Sequence, residues 1–109
     1  MDASDLALLR NSAGKASALL RALGNENRLL VLCLLIGHGE LSVGQLLDKL
    51  DLSGSALSQH LARMREEGLV AYRREAQTLY YRIADPAVEV LVATLQSIYC
   101  PEGNDDGKA

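Results

Sequence analysis

The chain has 109 residues, of which 49% are apolar, and it contains no Phe and no Trp. This length predicts one domain with a modest aliphatic core. No apolar run reaches the roughly eighteen residues that a membrane-spanning helix needs, and the acidic start MDASDLALLR is unlike a secretion signal. We therefore expect a cytoplasmic protein without a membrane partner.

The formal net charge is −3, but the charges are unevenly distributed along the chain. Residues 53–82 hold five arginines and three glutamates, whereas residues 83–109 hold one lysine and five acids. Because local charge matters more than the total for a binding face, the arginine-rich stretch is compatible with nucleic acid binding.

Two helices are predicted in the first third of the chain. In residues 5–23 apolar side chains recur at alternating spacings of three and four, the stripe of a helix that packs along one long partner helix. The stripe consists of Leu6, Leu9, Ala13, Ala16, Leu20 and Leu23. Gly24 ends this helix, and Asn25 is a suitable cap for a second helix through Ile36. Residues 29–36 are all apolar, so the second helix is expected to be central and buried.

Two capped helices joined by a tight turn follow. Ser42 and Gln45 have the spacing of a capping box, which predicts a short helix to about Leu50. Ser53 then caps a longer helix that ends near Gly68. This arrangement is a helix-turn-helix.

The second helix of this motif has two unlike faces. One face carries the apolar residues Leu57, Leu61 and Met64. The opposite face is small, polar and nearly uncharged, and it consists of Ser55, Ser58, Gln59 and Ala62. Such a face can approach another surface closely and offer hydrogen bonds, as a helix that reads DNA base edges must.

Two strands rich in β-forming residues are predicted over 69–75 and 78–83. A hairpin directly after a recognition helix is a wing. Arg73 and Arg74 near its tip, and Gln77 in its turn, are expected to meet phosphate or the minor groove.

Asp85 as cap and Pro86 at the first helical position begin a last helix, which ends at Cys100. The first and last helices carry more apolar surface than a winged domain can cover, so we expect them to build a homodimer. The predicted fold is mainly α with a small β-hairpin, four helices preceding two strands and a final helix. It occupies residues 5–100, between an N-terminal tail of residues 1–4 and a disordered acidic tail of residues 101–109.

The region LSVGQLLDKLDLSGSALSQHLARMREEGLVAYRREAQTLYYRI resembles the ArsR/SmtB family of winged helix-turn-helix repressors, and the likeness covers about residues 15–100. The resemblance implies a dimer that binds double-stranded operator DNA. The positions of the arsenic-type cysteines are filled by Ser42 and Gly44, and the last helix offers Glu89 but no His for a zinc-type site. Neither metal site is therefore expected.

Cys33 and Cys100, with the flanks GNENRLLVLCLL and LQSIYC, resemble the thiol-sensing branch of the family, which includes HlyU-, BigR- and SqrR-like repressors. That likeness implies a redox sensor in which reactive sulfur species (persulfides or polysulfides) or oxidants link the two cysteines by a disulfide or polysulfide bridge and DNA is released. Taken without the family, a cysteine in an apolar helix such as Cys33 is more often a packing residue. Many relatives carry a polar side chain at the position of Gly54, so that DNA contact is not expected here.

The expected DNA-contacting residues lie on the recognition helix and the wing. They are Ser53, Ser55, Ser58, Gln59, His60, Arg63, Arg73, Arg74 and Gln77. His60 lies toward the core side of the helix, where a local hydrogen bond is the alternative role.

Two other functions stay open at this point: a metal-responsive regulator that uses the cysteines with a histidine, and a winged-helix module that binds protein. The polar recognition face and the arginines favour DNA over protein. Neither an enzyme nor a cofactor is expected, since there is no Gly-rich phosphate loop.

Overall fold

A computed structural model of the chain describes residues 2–100; Met1 and residues 101–109, with the tail predicted to be disordered, lie outside the described residues. The order of elements is α1 (Ala3–Leu23), α2 (Glu26–His38), β1 (Leu41–Ser42), α3 (Val43–Lys49), α4 (Gly54–Glu66), β2 (Val70–Glu75), β3 (Thr78–Ile83) and α5 (Pro86–Tyr99). Among the helices of this part of the chain, none combines the length and the apolar content that crossing a membrane requires.

Side-chain caps set most of the helix boundaries, as the sequence predicts. Ser42 and Gln45 form a complete capping box at the start of α3. The Ser53 hydroxyl accepts a hydrogen bond from a backbone N–H in the first turn of α4, and Asp85 caps α5 with Pro86 at its start. Each cap satisfies backbone donors that have no partner within the helix.

The first helix begins earlier than predicted, at Ala3 rather than at residue 5. Asp2 and Asp5 form a reciprocal capping box in which each side chain accepts from the backbone N–H of the other. This cap satisfies the N-terminal donors and draws residues 3 and 4 into the helix. α2 also runs two residues beyond the predicted end at Ile36, and it ends before Gly39, whose φ is +82°.

The wing is part of a three-stranded antiparallel sheet with the order β1–β3–β2. Strands β2 and β3 pair from Val70 opposite Ile83 to Glu75 opposite Thr78, which confirms the hairpin and leaves a two-residue turn. The short strand β1 was not predicted. It pairs Leu41 with Tyr81 at the base of the hairpin and so connects the wing to the segment between α2 and α3.

The core lies between α2, α4, the base of the wing and α5. Its ten largest fully buried side chains are Val31, Leu32, Leu35, Leu46, Leu57, Leu61, Met64, Val70, Val88 and Val92. α2 is therefore central, as its apolar run predicts, but the run is buried only in part, since Leu30 is 45% exposed. Burying such side chains stabilises a fold by about 1.5–3 kcal/mol each relative to exposure, so these residues hold α2, α4 and α5 in one core.

Candidate DNA-binding surface and thiol pair

The recognition helix α4 has the two faces that its sequence predicts. Leu57, Leu61 and Met64 are at most 1% exposed and fix α4 against the core. The side chains of the opposite face are all exposed: Ser55, Ser58, Gln59 and Ala62. Arg63 is exposed at the edge of this face. α3 packs against α4, so the helix-turn-helix presents an unobstructed polar face.

Ser53 is exposed, but its hydroxyl is already used. The Oγ atom accepts from the Ala56 N–H at 3.1 Å and lies 3.4 Å from the Ser55 Oγ. A DNA contact of Ser53 would have to share this oxygen. The small Gly54 follows at the first helical position and is exposed.

His60 is half-buried on the same side of α4 as Arg63, closer to the core. Its Nδ1 accepts a hydrogen bond from the Nε of Arg28 in the first turn of α2, at 3.4 Å. His60 thus makes a contact between helices, and its partner is distant in sequence. The alternative of a local hydrogen bond is therefore not the one observed, and the expected DNA contact of His60 stays a prediction.

The two wing arginines lie on opposite faces of the hairpin. Arg73 donates two hydrogen bonds to the Glu40 carboxylate, at 2.8 and 2.9 Å, and one to Glu75 at 2.8 Å. Its guanidinium also lies over the Tyr80 ring, 4.6 Å from the centroid. The hydrogen bond from Arg73 lowers the pKa of the Glu40 carboxyl. Arg73 therefore ties the wing to the end of α2, and a phosphate would have to compete with two carboxylates for it.

Arg74 is exposed next to the turn and makes no salt bridge among residues 2–100. Gln77 is exposed in the turn itself. The position before Gln77 has an unusual backbone, since Ala76 adopts a φ of +57°. The wing tip thus offers one guanidinium that is not engaged by an acid, with an amide beside it.

The fold brings Cys33 and Cys100 to neighbouring helices. Cys33 lies in α2 and packs against the core, whereas Cys100 is exposed at the end of α5. Burial raises the pKa of the Cys33 thiol, and Cys100 is close enough to raise it further. Both cysteines are free thiols. Cys33 is therefore the less accessible member of the pair, and its burial disfavours its thiolate.

Within residues 2–100 there is no group of three His, Cys, Asp or Glu side chains arranged to hold a metal ion. His38, in the last turn of α2, is exposed.

The stripe of α1 is open along most of its length. Leu6, Leu9 and Leu20 are 43%, 52% and 60% exposed, and Ile98 and Tyr99 at the end of α5 are 59% and 78% exposed. A groove of about 560 Å³ runs between α1 and the start of α5. Large apolar side chains grouped in this way mark an interaction surface.

These features define a winged helix-turn-helix protein with a polar recognition helix and a basic wing. The family model described as "Bacterial regulatory protein, arsR family" matches residues 25–72. The chain is 49% identical to the HTH-type transcriptional regulator YgaV of Escherichia coli, over 90% of this chain and 99% of YgaV.

The chain also resembles HlyU of Vibrio cholerae, a transcriptional activator, with 50% identity over 84% of this chain and 82% of HlyU. The structure of reduced HlyU superimposes with a TM-score of 0.79 and covers 84% of this chain and 96% of that one. The transcriptional repressor BigR from Xylella fastidiosa gives a TM-score of 0.80 at 33% identity, covering 92% and 98%. The chain belongs to the ArsR family of DNA-binding transcriptional regulators, in the branch that contains HlyU, YgaV and BigR.

The sequence missed two residues at this surface, Arg28 and Glu40. Arg28 is an ordinary charge in the first turn of a helix, and Glu40 lies in a short connection. Both act through partners more than thirty positions away. No local pattern could have identified them.

Proposed function

We propose that the protein is a homodimeric repressor that binds operator DNA when reduced and releases it when Cys33 and Cys100 are linked. The observation that carries the proposal is that a half-buried thiol in α2 and an exposed thiol at the end of α5 lie on two helices that pack against each other, with Cys100 near enough to raise the pKa of Cys33. The relative described as reduced HlyU supports a redox distinction for that protein. The relatives carry both activator and repressor in their names, so the sign of regulation is part of the proposal.

The thiol chemistry follows from accessibility. The exposed Cys100 thiolate attacks the outer sulfur of a persulfide RS–SH, and the thiol RSH leaves. The terminal sulfur of the Cys100 persulfide then attacks the outer sulfur of a second RS–SH, which breaks its S–S bond, releases RSH and extends the chain to Cys100–S–S–SH. Cys33 then attacks the middle sulfur of this chain and releases hydrogen sulfide, which leaves one extra sulfur between the two cysteines. With hydrogen peroxide, the Cys100 thiolate attacks one peroxide oxygen, the O–O bond breaks and water leaves, which gives a sulfenic acid. Attack by Cys33 on its sulfur releases a second water and forms a disulfide.

The dimer would place two copies of α4 on one operator. Recognition helices of a dimer must meet half-sites about 34–36 Å apart. Because α5 carries both Cys100 and part of the exposed apolar surface, linking it to α2 would change the spacing of the two copies. A change worth about 1–3 kcal/mol, which is typical of coupling between sites, lowers DNA affinity by roughly 5- to 150-fold.

The test combines intact-mass spectrometry with DNA binding measured by fluorescence anisotropy on the protein's own promoter fragment. The reduced protein is treated with glutathione persulfide and, separately, with peroxide. Gains of about 30 or 62 mass units identify one or two inserted sulfur atoms, and a loss of about 2 identifies a disulfide. We expect the linked protein to release DNA.

The variants Cys33→Ser and Cys100→Ser serve as controls. Both are expected to bind DNA when reduced and to lose the response. Release of DNA by either variant after treatment would contradict the switch. Failure of the reduced wild type to prefer its promoter over unrelated DNA would contradict the operator-binding role.

A further inference from the structure

We propose that Arg28 is a further DNA-contacting residue, which holds a backbone phosphate with its terminal nitrogens while His60 fixes its orientation. This inference rests on the proposed operator binding and extends the DNA-binding surface from α4 and the wing to the start of α2. Arg28 is half-buried, and its Nε donates to the His60 Nδ1 at 3.4 Å.

The geometry leaves the phosphate-binding end of Arg28 available. A guanidinium has five N–H donors in a planar fork, and among residues 2–100 only the Nε donor is engaged, by His60. The four donors on the two terminal nitrogens suit the oxygens of one phosphate. Arg28 makes no salt bridge among residues 2–100, unlike Arg73, which two carboxylates engage.

The surroundings of Arg28 favour an anion. His60 and Arg63 are three positions apart on α4, so they are neighbours on one edge of the recognition helix. Arg63 is exposed and also makes no salt bridge within the described residues. Glu26 is only two positions from Arg28 and therefore does not share its side of the helix. Within the described residues, Arg28 and Arg63 are thus two arginines without acid partners at the edge of the polar face of α4.

His60 acts as a positioning residue in this scheme. A long arginine side chain loses conformational entropy when it is ordered by a ligand. A hydrogen bond formed before DNA arrives reduces that loss, because the side chain is already oriented. His60 is thereby occupied by Arg28 and contributes to binding through it.

The test measures the affinity of the reduced protein for its promoter at salt concentrations between 50 and 300 mM. The salt concentration is varied because phosphate contacts release counterions, so each contact makes the affinity more sensitive to salt. Each phosphate contact contributes about 0.9 to the slope of log affinity against log salt, so a dimer with two copies of Arg28→Gln should lose about 1.8. We expect affinity to fall roughly tenfold at intermediate salt. Arg10→Gln removes the same charge from α1 and is expected to leave the slope unchanged.

His60 is tested with His60→Leu, which removes the acceptor, and His60→Asn, which restores one. His60→Leu should weaken binding several-fold in the wild-type background and have no effect in the Arg28→Gln background. An unchanged salt slope for a folded Arg28→Gln protein would overturn the proposal.

If Arg28→Gln does not fold, as seen by circular dichroism, Arg28→Lys carries the test. Lysine keeps the charge, but it lacks the planar guanidinium with which Arg28 can bind His60 and a phosphate at the same time. The affinity for DNA should therefore fall, and adding His60→Leu should lower it no further. Full additivity of the two changes would reject the positioning role. Absence of promoter binding by the wild type would instead refute the proposed function itself.

Discussion

Linking Cys33 to Cys100 within one chain is expected to raise the melting temperature of the protein while it lowers the affinity for DNA. The bridge closes a loop of roughly 70 residues. In the loop-entropy model the lost conformational entropy raises the free energy of the unfolded chain by about 4 kcal/mol. For a domain of this size, about 1 kcal/mol shifts the melting temperature by roughly 4–8 °C. Because native-state strain offsets part of the gain, we expect an increase on the order of 10 °C.

The assay is thermal unfolding followed by circular dichroism on reduced and linked protein at one fixed protein concentration. The concentration must be matched because dissociation of a dimer makes the melting temperature concentration-dependent. Non-reducing electrophoresis first verifies that the link is within one chain. Treated Cys100→Ser protein is the control and should melt at the temperature of its untreated form.

Opposite changes in stability and DNA affinity would separate a conformational switch from damage. A protein that releases DNA because it unfolds would melt at a lower temperature after treatment. An intrachain link that leaves the melting temperature unchanged or lowers it would refute the reasoning. The link would then strain the native state by about 4 kcal/mol or more, which cancels the entropic gain.

Three further predictions concern the wing and the apolar stripe. Arg74→Gln should lower the salt slope of DNA binding by about 1.8 per dimer. Arg73→Gln should leave the slope nearly unchanged and slightly lower the melting temperature. Equal slopes for the two variants would contradict the assignment of the phosphate contact to Arg74. Ala76→Gly should stabilise the protein by about 0.5–1 kcal/mol in urea unfolding, because glycine tolerates positive φ, and Gly68→Ala, at a φ of +78°, should destabilise it by a similar amount. Leu9→Glu should weaken self-association at least about tenfold in analytical ultracentrifugation, whereas Leu8→Glu, which lies off the stripe, should not; dimers of unchanged affinity in Leu9→Glu would argue against this interface.

Local signals account for the parts of the fold that the sequence predicts. The caps at Ser42, Ser53 and Asp85 depend on hydrogen bonds within three residues, so their spacing alone identifies them. The two faces of α4 follow from helical periodicity in the same way. Local spacing did not predict the early start of α1, because residues 1–4 were expected to be a tail and the capping box of Asp2 and Asp5 was not recognised.

Contacts between distant segments account for what the sequence does not predict. Strand β1 has only two residues, and it exists because Leu41 pairs with Tyr81 forty positions away. The ion pairs of Arg73 were not predicted for the same reason, and its phosphate contact stays a prediction. The charge of Arg73 alone suggests a DNA contact. In the fold, Glu40 accepts two hydrogen bonds from Arg73, and the alternation of side chains along the strands could not predict this partner.

The two proposed sites meet at α2, and this arrangement gives a physical reason for coupling between them. Cys33 lies in α2, which packs against α5, whereas Arg28 at the start of α2 contacts His60 on the recognition helix. The two positions are five residues apart, about 7.5 Å along the helix axis, so α2 moves them as one rigid segment. The Arg28–His60 contact of 3.4 Å is already long for a hydrogen bond. A displacement of α2 by about 1 Å on linking Cys33 would therefore break it, and the link would act on DNA binding from within one subunit as well as through the dimer.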